Sequence, residues 1–339
     1  MWIDTLSLRN FRGFRELHLD LRRQLTVLIG VNGSGKSTIV DALEAVSMFW
    51  GGPLEQFLQP SDIRVGATSF NVRVKGPSTH WFQFSANESV RDLVRSPIDH
   101  TGAWEQRVLC MRTSRTRELD AEEDVALVLV RRAVKALCPS LTNVHVERGG
   151  STGRSSLIFE KAGRSFSADM LSDGEKNLVA LGVEISRFLA SFREEAALSE
   201  RQATIVIDEI ELHLHPKWQR VVVPRLLQAF PNCQFIITTH SPQVIGSVDV
   251  ENLFILEDFQ VRPAAHPTKG RDSNAILEEI MGATARDPAT ESELDQAARL
   301  VEVGSDEDAE AAVQKLADRF GEDDREVVRL RTALMLRGA

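Results

Sequence analysis

The sequence predicts an α/β fold in which a mixed, largely parallel sheet is flanked by helices, with an α+β insertion and a C-terminal helical extension. Three observations predict it. The continuous apolar runs "LTVLIG", "ATIVID" and "CQFIITT" have the length and β-branched content of strands buried on both faces. Stretches of helical period lie between them. The glycine-rich turn "GVNGSGKST", residues 30–38, closes one such strand and opens a helix.

Taken in order, "DTLSLRNF" and "RELHLDL" alternate apolar and polar residues and predict half-buried strands, and "LTVLIG" predicts a buried one. A helix is expected from about Lys36, with Ile39, Leu43 and Val46 inward, stopped by Gly51, Gly52 and Pro53. Residues 53–166 are less regular and read as an insertion containing the short strands "SFNVRVKG" and "HWFQFSA". One helix inside it is clear: Leu127, Val130, Val134 and Leu137 share a face. Glu122, Glu123 and Asp124 lie in its first turn and Arg131, Arg132 and Lys135 later, which suits the helix dipole. Another runs from about Gly174 to Ala190, with Leu178, Leu181, Ile185 and Phe188 inward. "ATIVID", a helix opened by Pro216, "CQFIITT" and "NLFIL" then continue the alternation of strand and helix. From Gly270 the chain turns helical. Ser305 as N-cap, Ala309, Val313, Leu316 and Phe320 on one face, and Gly321 mark a helix at both ends. The expected division is 1–269 and 270–339.

A content of 42% apolar and 26% charged residues is that of a globular chain and excludes a disordered or fibrous one. The net charge of −9 is concentrated at the end, where 13 acidic and 7 basic residues follow from Glu291 onward, a net −6. There is no global basic field of a nucleic-acid binder, although "RTSRTR" (Arg112–Arg117) with Arg131, Arg132 and Lys135 could form a local stripe or simply a solvated surface. Three widely spaced cysteines, Cys110, Cys138 and Cys233, argue against a disulfide framework and for a reduced, cytoplasmic setting. With neither a basic leader nor an apolar run of about 18 residues, a secreted or membrane-spanning chain is not expected.

Gly30, Gly35, Lys36 and Ser37 satisfy the phosphate-loop pattern G-x-x-x-x-G-K-[ST] between a strand and a helix. With Asn32, Gly33, Ser34 and Thr38 they make a cradle of backbone N–H groups for a nucleoside triphosphate, to which Lys36 adds charge and Ser37 a ligand for Mg²⁺. Such a loop requires an acidic partner at the end of a neighbouring strand, and "IVIDEIELHLHP" supplies two: Asp208 for the Mg²⁺ shell and Glu209 as the base or water-positioner. "TTHSPQVI" ends another buried strand on His240, placed to sense a γ-phosphate. "LSDGEKN", containing Ser172, Asp173, Gly174 and Glu175, is by itself only an N-cap with an acidic first turn.

The four motifs in this order resemble the ABC-type ATPase heads, in particular the soluble SMC/RecF-like branch of AAA_21/AAA_15 type, over roughly residues 1–256. "LRNFRGF" and "ELHLHP" are similar to that branch rather than to transporter subunits. The resemblance implies ATP hydrolysis with Mg²⁺ and a head-to-head homodimer, or higher even oligomer, in which Ser172, Asp173, Gly174 and Glu175 act in trans on the partner's ATP. Asp173 departs from the usual glycine, and its charge must point away or pair with a cation, with Lys176 available. For the glutamine that usually contacts Mg²⁺, Gln59 in "FLQPSD" is the candidate, against an incidental reading. With no tyrosine in the chain, adenine stacking would fall to Phe or Trp, Phe11 or Phe14 being candidates. His213 and His215 have no third ligand nearby and read as structural.

Only 136 positions separate Lys36 from Ser172, which leaves no room for an SMC coiled coil. The tail from 270 lacks the strand-rich acidic site of an overcoming-lysogenization-defect nuclease. The resemblance then points to stand-alone ATPases of anti-phage systems, the Septu PtuA group and its retron-linked relatives, with a separate effector chain such as a nuclease. A RecF-like DNA clamp in repair stays open as the alternative.

Overall fold

Alternating and continuous apolar strands end up in different sheets of the computed structural model, which describes residues 2–48, 62–67, 69–76, 81–87, 94–97, 108–112, 124–148, 155–192, 200–283 and 286–337. The alternating strands β1 (Thr5–Phe11) and β2 (Phe14–Asp20) pair antiparallel, Leu8 opposite Leu17 and Phe11 opposite Phe14. β3 (Leu25–Ile29) is buried at every residue. β4 (Ser69–Lys75), β5 (Trp81–Asn87) and β6 (Val94–Pro97) continue the first sheet in the order β2-β1-β4-β5-β6. β7 (Val108–Arg112) instead pairs parallel with β11 (Thr204–Asp208) at the edge of the central sheet. β8 (Thr142–Arg148), β9 (Ser155–Lys161) and β10 (Arg164–Ser167) form a three-stranded antiparallel sheet.

With β12 (Gln234–Thr239), β13 (Leu253–Glu257) and β14 (Gln260–Pro263), the central sheet runs β14-β13-β3-β12-β11-β7. Its strands are parallel except β14, which returns antiparallel to β13 through Asp258 and Phe259. Both turn residues have positive φ, 48° and 58°, as a two-residue type I′ hairpin requires. The stretch 53–166 therefore does not stand apart as one insertion: its described strands are shared among all three sheets. The alternating strands β4 and β8 carry no mark of which antiparallel sheet they will join, because that choice is made by long-range pairing.

α1 (Lys36–Met48) buries Ile39, Val40, Ala42 and Leu43 in a core shared with Leu6, Phe11, Phe14, Leu28, Val206 and Ile236. α2 (Asp124–Leu137) packs on α3 (Asp173–Ala190) and on α5 (Val222–Ala229). Its buried face is Ala126, Leu129, Val130, Ala133, Val134 and Leu137, with Leu127 only half-buried. Gly182 lets α2 and α3 come close: a Cβ there would lie 2.9 Å from Leu137 Cδ1. The buried amide of Gln234 ties the chain start to the central sheet, donating to the Ile3 and Arg22 carbonyls at 2.7 and 2.9 Å and accepting from Ile3 N–H and the Thr204 hydroxyl.

The chain divides into two units, Met1–Ile276 and Leu277–Ala339. In the second, α8 (Pro288–Val303), α9 (Asp306–Phe320) and α10 (Arg325–Arg337) close on a core of Leu294, Ala297, Val301, Val313, Leu316, Val327 and Leu330. Ser305 caps α9 by accepting from Asp308 N–H at 3.2 Å, and Gly321 follows it at φ 96°. No helix among the described residues is long and apolar enough to cross a membrane.

Candidate active site

The phosphate loop hangs between β3 and α1, and its shape needs glycine. Gly33 and Gly35 have φ of 82° and 105°, where a side chain is strained. At Gly35 the space is also taken: a Cβ would lie 2.7 Å from the Phe14 ring and 2.9 Å from that of Phe259. Phe259, brought there by the β13–β14 hairpin, meets Phe14 edge-to-face at 5.3 Å, so an aromatic pair supports the loop from the core side. Lys36 is buried and its Nζ donates to the carbonyls of Gly30 and Val31 at 2.9 and 3.0 Å. Burial pushes its ammonium below the usual lysine range, against the pull of Asp208, Glu209 and Glu211. Among the described residues Ser34 Oγ is buried and has no hydrogen-bond partner. A buried hydroxyl of that kind in a cradle of this pattern fits an anionic ligand that brings acceptors. Asn32, Gly33 and Ser37 are exposed at the loop and Thr38 is half-buried.

Parallel register sets the other groups at the same sheet edge, with Ile29 opposite Thr239 and Ile207 opposite Ile237. One hydroxyl organises the acidic pair: Thr238 Oγ1 donates to Asp208 Oδ1 at 2.6 Å and accepts from Glu209 N–H at 2.8 Å. Glu209 takes φ 52°, the left-handed region, a strained backbone for a non-glycine residue. Glu211 braces the next strand end, accepting from Thr239 Oγ1 at 2.7 Å and from the backbone N–H of His240. Ser241 caps α6 (Pro242–Ile245) and donates to Gln219 Oε1 at 2.7 Å, while Gln219 Nε2 donates to the Leu214 carbonyl. Burial and the charge of Lys36 push His240 below the usual histidine range, against Glu211, Glu209 and Asp208. The ring is thus kept neutral at pH 7. Ser37 and Asp208 have the hard oxygen donors that Mg²⁺ takes alongside phosphate and water.

The signature stretch "LSDGE", residues 171–175, is built elsewhere in the chain. Ser172 caps α3, and its N–H and hydroxyl both donate to Glu175 Oε2, at 3.3 and 2.8 Å. Lys161, from β9, donates to Glu175 Oε1 at 2.7 Å. Burial pushes the Glu175 carboxyl up, but Lys161 and Ser172 outweigh it and hold the group below its ordinary value. Ser172 and Asp173 are exposed, and a Cβ on Gly174 would lie 3.3 Å from Trp218 of α4 (Pro216–Gln219).

Lys36, Asp208, Glu209 and His240 are therefore brought together, and the Ser172–Glu175 group is placed on a different helix start. Gln59, Glu122, Glu123 and residues 113–117 of the arginine run lie outside the described residues. Phe11 and Phe14 are fully buried in the core, so neither offers a face to adenine. His215 caps α4, its Nδ1 accepting from Lys217 N–H at 3.2 Å. Sequence reasoning missed Thr238, Glu211, Gln219 and Lys161, whose roles depend on neighbours 14 to 30 residues away; Glu211, two residues beyond Glu209 in "DEIELHLHP", carried the one local signal.

Among solved structures, the SmcHead bound to the C-winged helix domain of ScpA matches with a TM-score of 0.59 and 16% identity, over 79% of this chain and 98% of that one. The fold is that of an SMC head. RecF in its ATPγS form, a recombination mediator protein, matches with a TM-score of 0.51 and 12% identity, over 78% and 98%. Residues 113–246 match the family model AAA_21, "AAA domain, putative AbiEii toxin, Type IV TA system", and residues 1–50 match AAA_15, an AAA ATPase domain. The retron Ec83 probable ATPase of Escherichia coli is 34% identical over 207 residues, 60% of this chain and 38% of the relative. The Septu protein PtuA of Bacillus mycoides is 25% identical over 299 residues, 76% of this chain and 41% of the relative. The chain thus has an SMC-head-like fold, is similar in sequence to retron ATPases and to Septu PtuA, and spans less than half the length of these curated relatives.

Proposed function

We propose that the chain binds ATP with Mg²⁺, hydrolyses it to ADP and phosphate, and pairs head-to-head with a second copy around two ATP molecules. The observation that carries this is the separation of the site into two halves. Phosphate loop, acidic pair and histidine share one sheet edge, whereas an exposed serine on a helix start, the other anion-binding feature, stands on α3. Gly30 to Thr38 hold the phosphates, with Lys36 turning from the loop carbonyls to the phosphate oxygens. Ser37 and Asp208 would hold Mg²⁺, which when bound neutralises charge developing on the phosphates. Glu209 takes a proton from the water whose oxygen bonds to the γ-phosphorus; the bond from that phosphorus to the bridging oxygen breaks and ADP leaves with the electron pair. Neutral His240 donates a hydrogen bond to the γ-phosphate and, through the Glu211 brace, relays its loss to the stretch after Glu209. Ser172, Asp173, Gly174 and Glu175 complete the partner's site.

The homology to retron ATPases and Septu PtuA supports a role in bacterial anti-phage defence, in the cytoplasm, with the paired head controlling a separate effector such as a nuclease. The experiment is sedimentation of the Glu209→Gln protein with saturating ATP and Mg²⁺: a dimer is expected, and a persistent monomer refutes head pairing. Mixing Lys36→Ala and Ser172→Arg chains, each inactive alone, is expected to restore one working site per dimer. The DNA-clamp alternative draws on Arg132 and Lys135, exposed on α2. Stimulation of hydrolysis by duplex DNA, lost on Arg132→Glu/Lys135→Glu, would favour it.

A further inference from the structure

The signature carries more negative charge than a phosphate-facing helix start should. Asp173 stands exposed at the first position of α3, and Glu175 is buried two residues on. A helix N-terminus attracts an anion through its free N–H groups, and two carboxylates placed there oppose a phosphate. The cation on Glu175 comes from outside the motif. Lys161 reaches from β9 to Glu175 Oε1 at 2.7 Å, while the other carboxylate oxygen holds Ser172 by its N–H and hydroxyl. Glu175 is the buried end of this pair, with a side chain 6% exposed, and that of Lys161 is 41% exposed. One cation thus fixes the carboxylate inward and fixes the serine through it, with the Lys161 side chain still partly exposed.

We propose that Lys161 is a positioning residue of the half-site completed in trans: it pins Glu175, through it holds the Ser172 backbone N–H so that the hydroxyl can turn from Glu175 to the partner's γ-phosphate, and offsets the charge of the acidic signature. This rests on the head-pairing reading. Removing the ammonium leaves a buried carboxylate without its cation, which must swing out or take up a proton. Either response frees Ser172, and the first adds a second carboxylate to the surface the phosphate approaches.

The test uses the full chain in the Glu209→Gln background, with pairing driven by ATP and Mg²⁺ and read by sedimentation. Lys161→Met is expected to raise the concentration needed for pairing at least tenfold. Lys161→Arg is expected to keep most of it, and the charge-neutral double variant Lys161→Met/Glu175→Gln to recover most of it. In an otherwise unaltered chain, Lys161→Met mixed with Lys36→Ala is expected to regain hydrolysis, because one site then joins an intact phosphate loop to an intact signature. A Lys161 that merely held the fold, or served its own chain's phosphate loop, would give no such rescue. Pairing of Lys161→Met as tight as its parent, or a mixture that stays inactive, overturns the assignment alone. A parent that does not pair with ATP overturns the head-pairing reading and the Lys161 role with it.

Discussion

At the residue scale, the site depends on single atoms that bridge strands. Thr238 Oγ1 is at once donor to Asp208 and acceptor from Glu209 N–H, so Thr238→Val removes one hydrogen bond from each. A hydrogen bond to a charged group contributes about 1.5–3 kcal/mol and one between neutral groups about 0.5–1.5 kcal/mol. Thr238→Val is therefore expected to lower kcat roughly 10- to 100-fold, on the order of 1.4–2.7 kcal/mol in the barrier, while Thr238→Ser keeps near-normal turnover; steady-state kinetics decide it. Gly35→Ala is expected to fail earlier, at binding. The methyl group meets the Phe14 and Phe259 rings and the backbone sits at φ 105°, a strain of roughly 1–3 kcal/mol that the loop relieves by moving. Titration with a fluorescent ATP analogue should show at least tenfold weaker binding; wild-type affinity would mean that the aromatic pair is not what shapes the loop. Glycine spacing made this loop readable from sequence, because its geometry is local. Thr238 and Glu211 were not readable, since threonine and glutamate acquire these roles only once β11 and β12 lie side by side.

At the scale of elements, the continuous strands β3, β11 and β12 were legible because a parallel strand covered on both faces has one compositional solution. The strands of residues 53–166 were less so, since β4 and β8 alternate alike yet belong to different sheets. The start of α3 lies between these cases. Its serine and acidic residues read as a cap, but the cation that completes the cap arrives from β9, beyond the hairpin turn at Ala162 and Gly163. That pairing has a pH signature. Glu175 is held below its ordinary value of 4.5, so its contribution is fully present above pH 4.5 and is lost as pH falls through the depressed native value. Amide protection in the first turn of α3, relative to the intrinsic exchange rate at each pH, should fall on acidification in the wild type. In Glu175→Gln it should be lower at pH 6 and change less with pH; equal pH dependence in the two would refute the coupling.

At the scale of the whole molecule, each unit has its own core, and each should open with its own free energy. The second is small, and a three-helix core of that size depends on polar ties at its corners. The clearest is the pair in which both Asp324 oxygens accept from Arg286 Nη2, at 2.8 and 2.7 Å, while Asp324 Oδ1 also accepts from Glu326 N–H in the first turn of α10. Burial pushes the Asp324 carboxyl up, and the stronger effect of Arg286 and the backbone N–H groups holds it below 3.8. By the same sign argument, this stabilisation is intact above pH 3.8 and disappears as pH falls through the lower native value. Asp324→Asn keeps the shape and removes the charge. It is expected to lower the stability of this unit by about 1 kcal/mol, discounted for partial exposure of the pair, and to raise hydrogen exchange in α8 and α10 roughly fivefold. Amides of β3, β11 and β12, and binding of ATP at the phosphate loop, should be unchanged. If those strands lose protection in parallel with α10, the two units unfold as one and the division into separately stable parts is wrong.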